Sequence, residues 1–300
     1  MGSKEGSRYG RSYSNKESGI EKQSTYDIIT EKITKRLEQG DIPWRKPWKT
    51  QLPRNLITNR PYQGMNLLLL SELDYSSPYW LTFKQAQDKG GHVKRGEHGS
   101  LVTFWKVTEK DLDDEDKRGK ELRFLLRYYK VFNLDQCESI ESPTLGEPKD
   151  PIQRCEDIVV GYKTRPEIRN NIGKAFYSPS RDYVGIPPMQ SFNSSEGYYA
   201  ALFHELTHST GHESRLKRFN SKDYNRPFAS VEYSKEELIA ELGDAFLCAE
   251  AGIDNSQLEN STAYIQSWLN ALNNDKRLLI SASSHAARAT RYILGQTENS

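Results

Sequence analysis

The stretch HELTHSTGH at residues 204–212 limits this chain more than any other part of it. His204 and His208 stand four apart, so on a helix they stack on one face and can grip a single metal ion together. Glu205 lies about 100° further round the helix, beside the metal position rather than behind it. There it can take a proton from a water held at the metal, which is the reasoning behind the HExxH pattern. Upstream, "NSSEGYYAALF" supplies a cap and an apolar stripe of Tyr199, Leu202 and Phe203 continuing to Leu206, so the segment reads as a helix.

Two histidines need a third ligand, and the sequence offers three. His212 lies one turn on, but Gly211 before it makes helix continuation doubtful, so it reads as a ligand after a bend, an oxyanion donor or an exposed side chain. Glu237 and Glu241 lie in "SKEELIAELGDAFLCAEAGI", an amphipathic helix that Gly252 and Ile253 are placed to stop. They stand four apart, so one can bind metal while the other orients a metal-bound histidine. Glu237 is preferred over Glu241. The competing role for Glu237 is a capping box with Ser234, and for Glu241 a solvated helix face.

The first half carries a different chemistry. Residues 22–110 hold 15 Lys/Arg against 9 Asp/Glu, although the whole chain is nearly balanced at +1. The surplus sits beside aromatic residues. "PWRKPWK" interleaves Trp44 and Trp48 with Arg45, Lys46 and Lys49, and "NRPYQG" and "HVKRGEHG" add Arg60, Tyr62, Lys94 and Arg95. Cations for a phosphate backbone and flat rings for unstacked bases are what single-stranded nucleic acid needs. Trp80 and Trp105, in strongly apolar segments, read instead as core residues.

Periodicity places these features on an α+β chain of two domains. Residues 1–21, rich in Gly, Ser and charge, read as a disordered tail with no apolar signal segment. Residues 22–140 read as an N-terminal α+β domain: a helix near 24–39, a short helix in "MNLLLLSEL", a helix in "YWLTFKQAQDKGG", then two strands around the acidic loop "TEKDLDDEDKRGK". "ESPTLGEPKDP" at 141–151 reads as the linker. Residues 152–297 read as a mostly helical domain with a small β-sheet, whose hairpin "KAFYSPSRDYVGIP" offers the strand in "RDYVGIP" to a peptide by edge pairing. The longest apolar run, at 66–70, is far too short to cross a membrane. Three scattered cysteines without a CxxC fit a reducing compartment.

Taken together, "HELTHSTGH", the Glu237 helix and "WLNALNNDKRLLISASSHAARATRYILG" resemble the ArdC-type antirestriction proteins of conjugative plasmids and mobile elements. "ITEKITKRLEQGDIPWRKPW", "NRPYQGMN", "KRGEHGSLVTFWKV" and "YYKVFNLDQ" are similar to that family's N-terminal domain, which also occurs on TraC-type primases. The resemblance runs over about 22–297. It implies a single-stranded-DNA-binding domain joined to a zincin-like metallopeptidase domain. It implies Zn2+ held by His204, His208 and Glu237, with Glu205 the catalytic base and Glu241 at the fourth residue after the ligand, although the gap from His208 to Glu237 is longer than in the best-known gluzincins. The function so implied is protection of incoming DNA during conjugation in the bacterial cytoplasm, with the host restriction machinery among the candidate protein substrates. His212 and Tyr233 are the two candidates for the oxyanion donor, and the sequence does not choose between them. The alternative is a single-stranded-DNA-binding protein whose zinc domain is structural or a non-catalytic protein-binding module.

Overall fold

The computed structural model describes residues 23–45, 51–73, 75–111, 120–144, 150–170, 172–219, 231–256 and 262–296. The tail at 1–21, the acidic tip at 112–119 and the middle of the linker, 145–149, lie outside the described residues.

The first half opens with α1 (Thr25–Glu38), capped by a reciprocal pair between Ser24 and Asp27. It buries Ile29, Ile33 and Leu37 at the spacing that its sequence predicts. A short β1 (Arg54–Asn55), α2 (Met65–Ser71), β2 (Tyr79–Leu81), α3 (Phe83–Asp88) and β3 (His92–Val93) follow. "YWL", expected to begin a helix, is instead the wholly buried strand β2, and Thr82 caps α3. Aromatic and branched side chains fit a pleated surface buried on both faces better than a helix. The long β4 (Ser100–Asp111) and β5 (Lys120–Asn133) pair antiparallel as a hairpin, and β6 (Cys137–Glu138) pairs with β3. The main sheet has the order β1-β2-β5-β4.

The second half runs α4 (Pro151–Gly161), β7 (Glu167–Arg169), β8 (Phe176–Ser178), β9 (Tyr183–Gly185), then α5 (Ser195–Ser209), α6 (Val231–Ala251), α7 (Thr262–Asn274) and α8 (Leu278–Ile293). Its sheet has the order β7-β9-β8. The expected hairpin is β8–β9, while β7, parallel to β9, is an addition. Because β9 is paired on both sides, "RDYVGIP" has no free edge, and the open edge belongs to β8. The architecture is α+β in two domains, the second largely helical. No described helix is long and apolar enough to cross a membrane.

The two domains are not separated in space as they are in sequence. One apolar cluster runs from Ile29, Ile33, Leu37 and Trp44 of the first half through Phe203, Leu242, Phe246, Trp268 and Leu279 of the second. Trp44 is 0% exposed and meets Trp268 edge to face at 5.4 Å. Polar contacts cross as well: Thr30 Oγ1 donates to the Lys276 carbonyl at 2.9 Å, and Asn255 Nδ2 donates to the Trp44 carbonyl at 3.1 Å.

Candidate metal centre

The HExxH segment forms the last turns of α5, whose start is capped by the Ser194 hydroxyl accepting from the Gly197 amide. The helix stops just after His208. Gly211 lies against Phe219, where an added Cβ would come within 2.7 Å of the ring, so the chain turns sharply there. His212 is thereby carried away from the cluster, half-buried, with Nδ1 on the Ser214 hydroxyl at 2.8 Å.

α6 supplies the third donor. It begins at Val231, three residues before Ser234, so Ser234 sits inside the helix and bonds the Ser267 hydroxyl at 2.6 Å. The capping role considered for Glu237 is therefore removed. α6 lies very close to α5: a Cβ on Gly243 would come within 2.3 Å of the Thr207 side chain. This approach brings Glu237 to both histidines. His204 Nε2 and His208 Nε2 are 3.2 Å apart, and each is 3.6 Å from a Glu237 carboxylate oxygen. Donors about 2.0–2.2 Å from a tetrahedral ion stand about 3.3–3.6 Å from one another, so the three fit one divalent cation. Burial works against a charge on His204, but Glu237, Glu205 and Glu241 outweigh it and push its pKa up to about 10. A cluster with that surplus of negative charge favours a cation.

The flanking carboxylates have separate partners. Glu236 takes the Nδ1 side of His208 at 3.3 Å and is gripped by Arg218 through Nη2 at 2.8 Å and Nε at 3.2 Å. Burial by itself would raise the Glu236 carboxyl; Arg218 and His208 outweigh it and hold it at about 2. It stands where a carboxylate would orient the His208 imidazole toward a metal ion, the role for which Glu241 was considered. Sequence reasoning passed over Glu236 because it directly precedes Glu237, and only the fold shows which face each presents. Glu241 is instead paired with Arg45, Nη2 to Oε1 at 2.6 Å and Nε to Oε2 at 3.1 Å, both side chains nearly buried.

Around the cluster lies a cleft of about 450 Å³, walled by Lys174–Tyr177 of the β8 segment, Phe219, Tyr233, Glu236 and Tyr264, with Glu205 in its lining. Of the two oxyanion candidates, Tyr233 is in this cleft. Its phenol is held protonated chiefly by burial and by its contact with Tyr264, 3.3 Å away.

The residues expected to meet DNA divide differently. Trp44 and Arg45 are corrected: the indole is core and the guanidinium is engaged by Glu241, so neither presents a surface to a base or a phosphate. Lys46, Trp48 and Lys49 lie outside the described residues. Arg60 and Arg95 are exposed. Lys94 donates to the Asp135 carbonyl at 2.8 Å, and Tyr62 is half-buried against the cluster of Leu70, Trp80, Val102 and Val131. Trp80 is core as expected, but Trp105 is 46% exposed on the hairpin.

The fold and the site together define a two-domain protein with a zincin-like second half. The family described as the N-terminal domain of anti-restriction factor ArdC matches residues 23–132, and the zincin-like metallopeptidase family matches residues 155–285. The antirestriction ArdC protein of plasmid R388, with crystal structures in metal-free and Mn(II)-bound forms, is 36% identical. The TM-scores are 0.74 and 0.72, over 91% of this chain and 99% and 98% of those chains. A protein of Sinorhizobium fredii, y4eC, is 32% identical over 90% of this chain and 92% of its own length. Two DNA primases TraC of Escherichia coli are 31% and 34% identical over 91% of this chain, which spans only 27% and 20% of their lengths. The chain belongs to the ArdC antirestriction family.

Proposed function

We propose that this protein is an antirestriction factor that binds single-stranded DNA and hydrolyses peptide bonds at a zinc site, protecting DNA entering a bacterial cell. The observation that carries the peptidase reading is the convergence of His204, His208 and Glu237 with Glu205 beside them in one open cleft. A purely structural site has no use for a carboxylate at that position.

His204, His208 and Glu237 would hold the ion, and two imidazoles with one carboxylate is a donor set suited to zinc. When bound, zinc supplies Lewis-acid polarisation of the scissile carbonyl and acidifies a water. The protein's side chains do the rest. Glu205 accepts the proton of the attacking water and delivers it to the departing amine. Tyr233, protonated and in the cleft wall, donates to the developing oxyanion. The open edge of β8 pairs with an extended substrate backbone and sets its register. Arg218 and Glu236 hold the His208 ring in one orientation.

The decisive variant is Glu205→Gln. It keeps shape and removes the base, so metal content and melting temperature should match wild type while cleavage of host restriction proteins falls by orders of magnitude. The same variant is then scored for protection of plasmid DNA entering a restricting host. Cleavage at the wild-type rate would refute the assignment of Glu205. Loss of cleavage with full protection would make the site accessory.

A further inference from the structure

The described residues hold one strongly apolar and basic surface that the metal centre does not use, the β4–β5 hairpin. At its base, Val102 and Val131 are fully buried. Further out the ribbon leaves the body of the protein, and Phe104, Trp105, Val107, Leu122, Phe124 and Leu125 are all 41–61% exposed. Single exposed apolar side chains are ordinary, whereas a contiguous run of this kind marks a binding surface.

The register sorts the hairpin into two faces, because directly opposed residues of an antiparallel pair project to the same side. Val102 opposes Tyr129, Phe104 opposes Arg127, Lys106 opposes Leu125 and Thr108 opposes Arg123, and these eight share one face. Trp105, Val107, Leu122 and Phe124 fall on the other, with Trp105 near Tyr26 of α1 at 6.5 Å. Lys106, Arg123 and Arg127 are therefore on the first face, and the register continues it outward through Lys110 opposite Glu121. The acid that the register places on this face, Glu121, stands beyond them opposite Lys110, and Lys106 and Arg127 make no ion pair among the described residues. Phe104 and Tyr129 stand edge to face at 5.6 Å, 42% and 39% exposed.

We propose that this face, through Phe104, Lys106, Arg123, Arg127 and Tyr129, is where the protein takes single-stranded DNA. The proposal rests on the single-strand-binding reading above and moves the contact away from Trp44 and Arg45. Arg123 and Arg127 are about 13 Å apart along one strand, and Lys106 stands between them on the neighbouring strand. That makes a row of cations for successive phosphates, with two rings at its inner end for unstacked bases. A duplex keeps its bases stacked and offers the rings nothing.

The test uses the full-length protein and a fluorescently labelled oligothymidylate, read by anisotropy across a salt series. Lys106→Glu with Arg127→Glu should weaken binding at least tenfold and lower the salt slope by about 0.7 for each lost phosphate contact. Phe104→Ser should weaken binding roughly tenfold, while Phe124→Ser on the opposite face should leave it unchanged. All these side chains are exposed, and an unchanged melting temperature verifies the fold. If wild type fails to bind the single strand, the DNA-binding reading itself falls. Binding by wild type with equal binding by the face variants overturns the hairpin assignment alone. Greater loss in Phe124→Ser than in Phe104→Ser would also overturn it, since it would place the contact on the apolar face.

Discussion

Adjacent glutamates on α6 do different work. Glu237 faces both imidazoles, while Glu236, held by Arg218, touches only the far nitrogen of His208. Glu237→Ala should abolish stoichiometric metal binding. Glu236→Gln should keep a site but weaken it by about 10–100-fold, as is usual when the group orienting a ligating histidine is lost. Competition with a chelator of known affinity measures both, and wild-type affinity in Glu236→Gln would show that Arg218 and Glu236 are merely structural. One turn further along, Glu241 is kept by Arg45. Replacing Arg45 alone with Met strands a buried carboxylate and should destabilise the protein by about 3–5 kcal/mol, whereas Arg45→Met with Glu241→Met should recover most of that. Denaturant titration of the single and double variants reads it; an unrecovered double variant would show that packing around Arg45, not charge pairing, matters.

At the scale of elements, the candidate metal centre is a helix crossing. α5 contributes the histidines, α6 the carboxylates, and the distance between them is set where Gly243 lies on Thr207. Gly243→Ala is favourable for an isolated helix, yet a Cβ there would sit 2.3 Å from Thr207 Cγ2. The helices must separate, so the variant should lose about 1–3 kcal/mol and bind metal more weakly, although Gly243 touches no ligand. Calorimetry and metal titration check the two effects. A Gly243→Ala protein more stable than wild type, with full metal affinity, would show that the crossing tolerates the extra methyl. The β8 edge strand completes the site from the other side, its Phe176 and Tyr177 lining the cleft opposite α6.

The whole molecule unfolds as its core is built. The cluster that contains Ile33 and Trp44 also contains Phe246 and Trp268, so separating the halves exposes apolar surface on both. Heating the full chain should give one cooperative calorimetric transition rather than two, even though family boundaries fall near residues 132 and 155. Two resolved transitions, with fragment 22–140 melting at the temperature of the first, would refute a shared core. Trp44→Ala should cost about 3–5 kcal/mol and lower the metal domain's melting temperature with the rest. A loss of DNA binding in that variant would therefore report unfolding, which is why the exposed hairpin residues make the cleaner test.

Local sequence settled what depends only on the repeat of a helix or a strand. His204 and His208 stack because residues four apart share a helix face, α1 buries Ile29, Ile33 and Leu37 for the same reason, and Gly252 ends α6 with Ile253 donating to the Cys248 carbonyl at 3.0 Å. Long-range partners settled the rest. Trp44, between prolines and cations, looks exposed in sequence but is sealed by Trp268 more than 200 residues away; Trp105, in an apolar run, looks buried but is left half-exposed on the hairpin, with only the edge of Tyr26 near it among the described residues. Periodicity tells which side chains share a face. Whether that face meets protein, and which of Glu236, Glu237 and Glu241 meets a histidine, an arginine or both histidines, is decided only when α5, α6 and the segment carrying Arg45 come together in space.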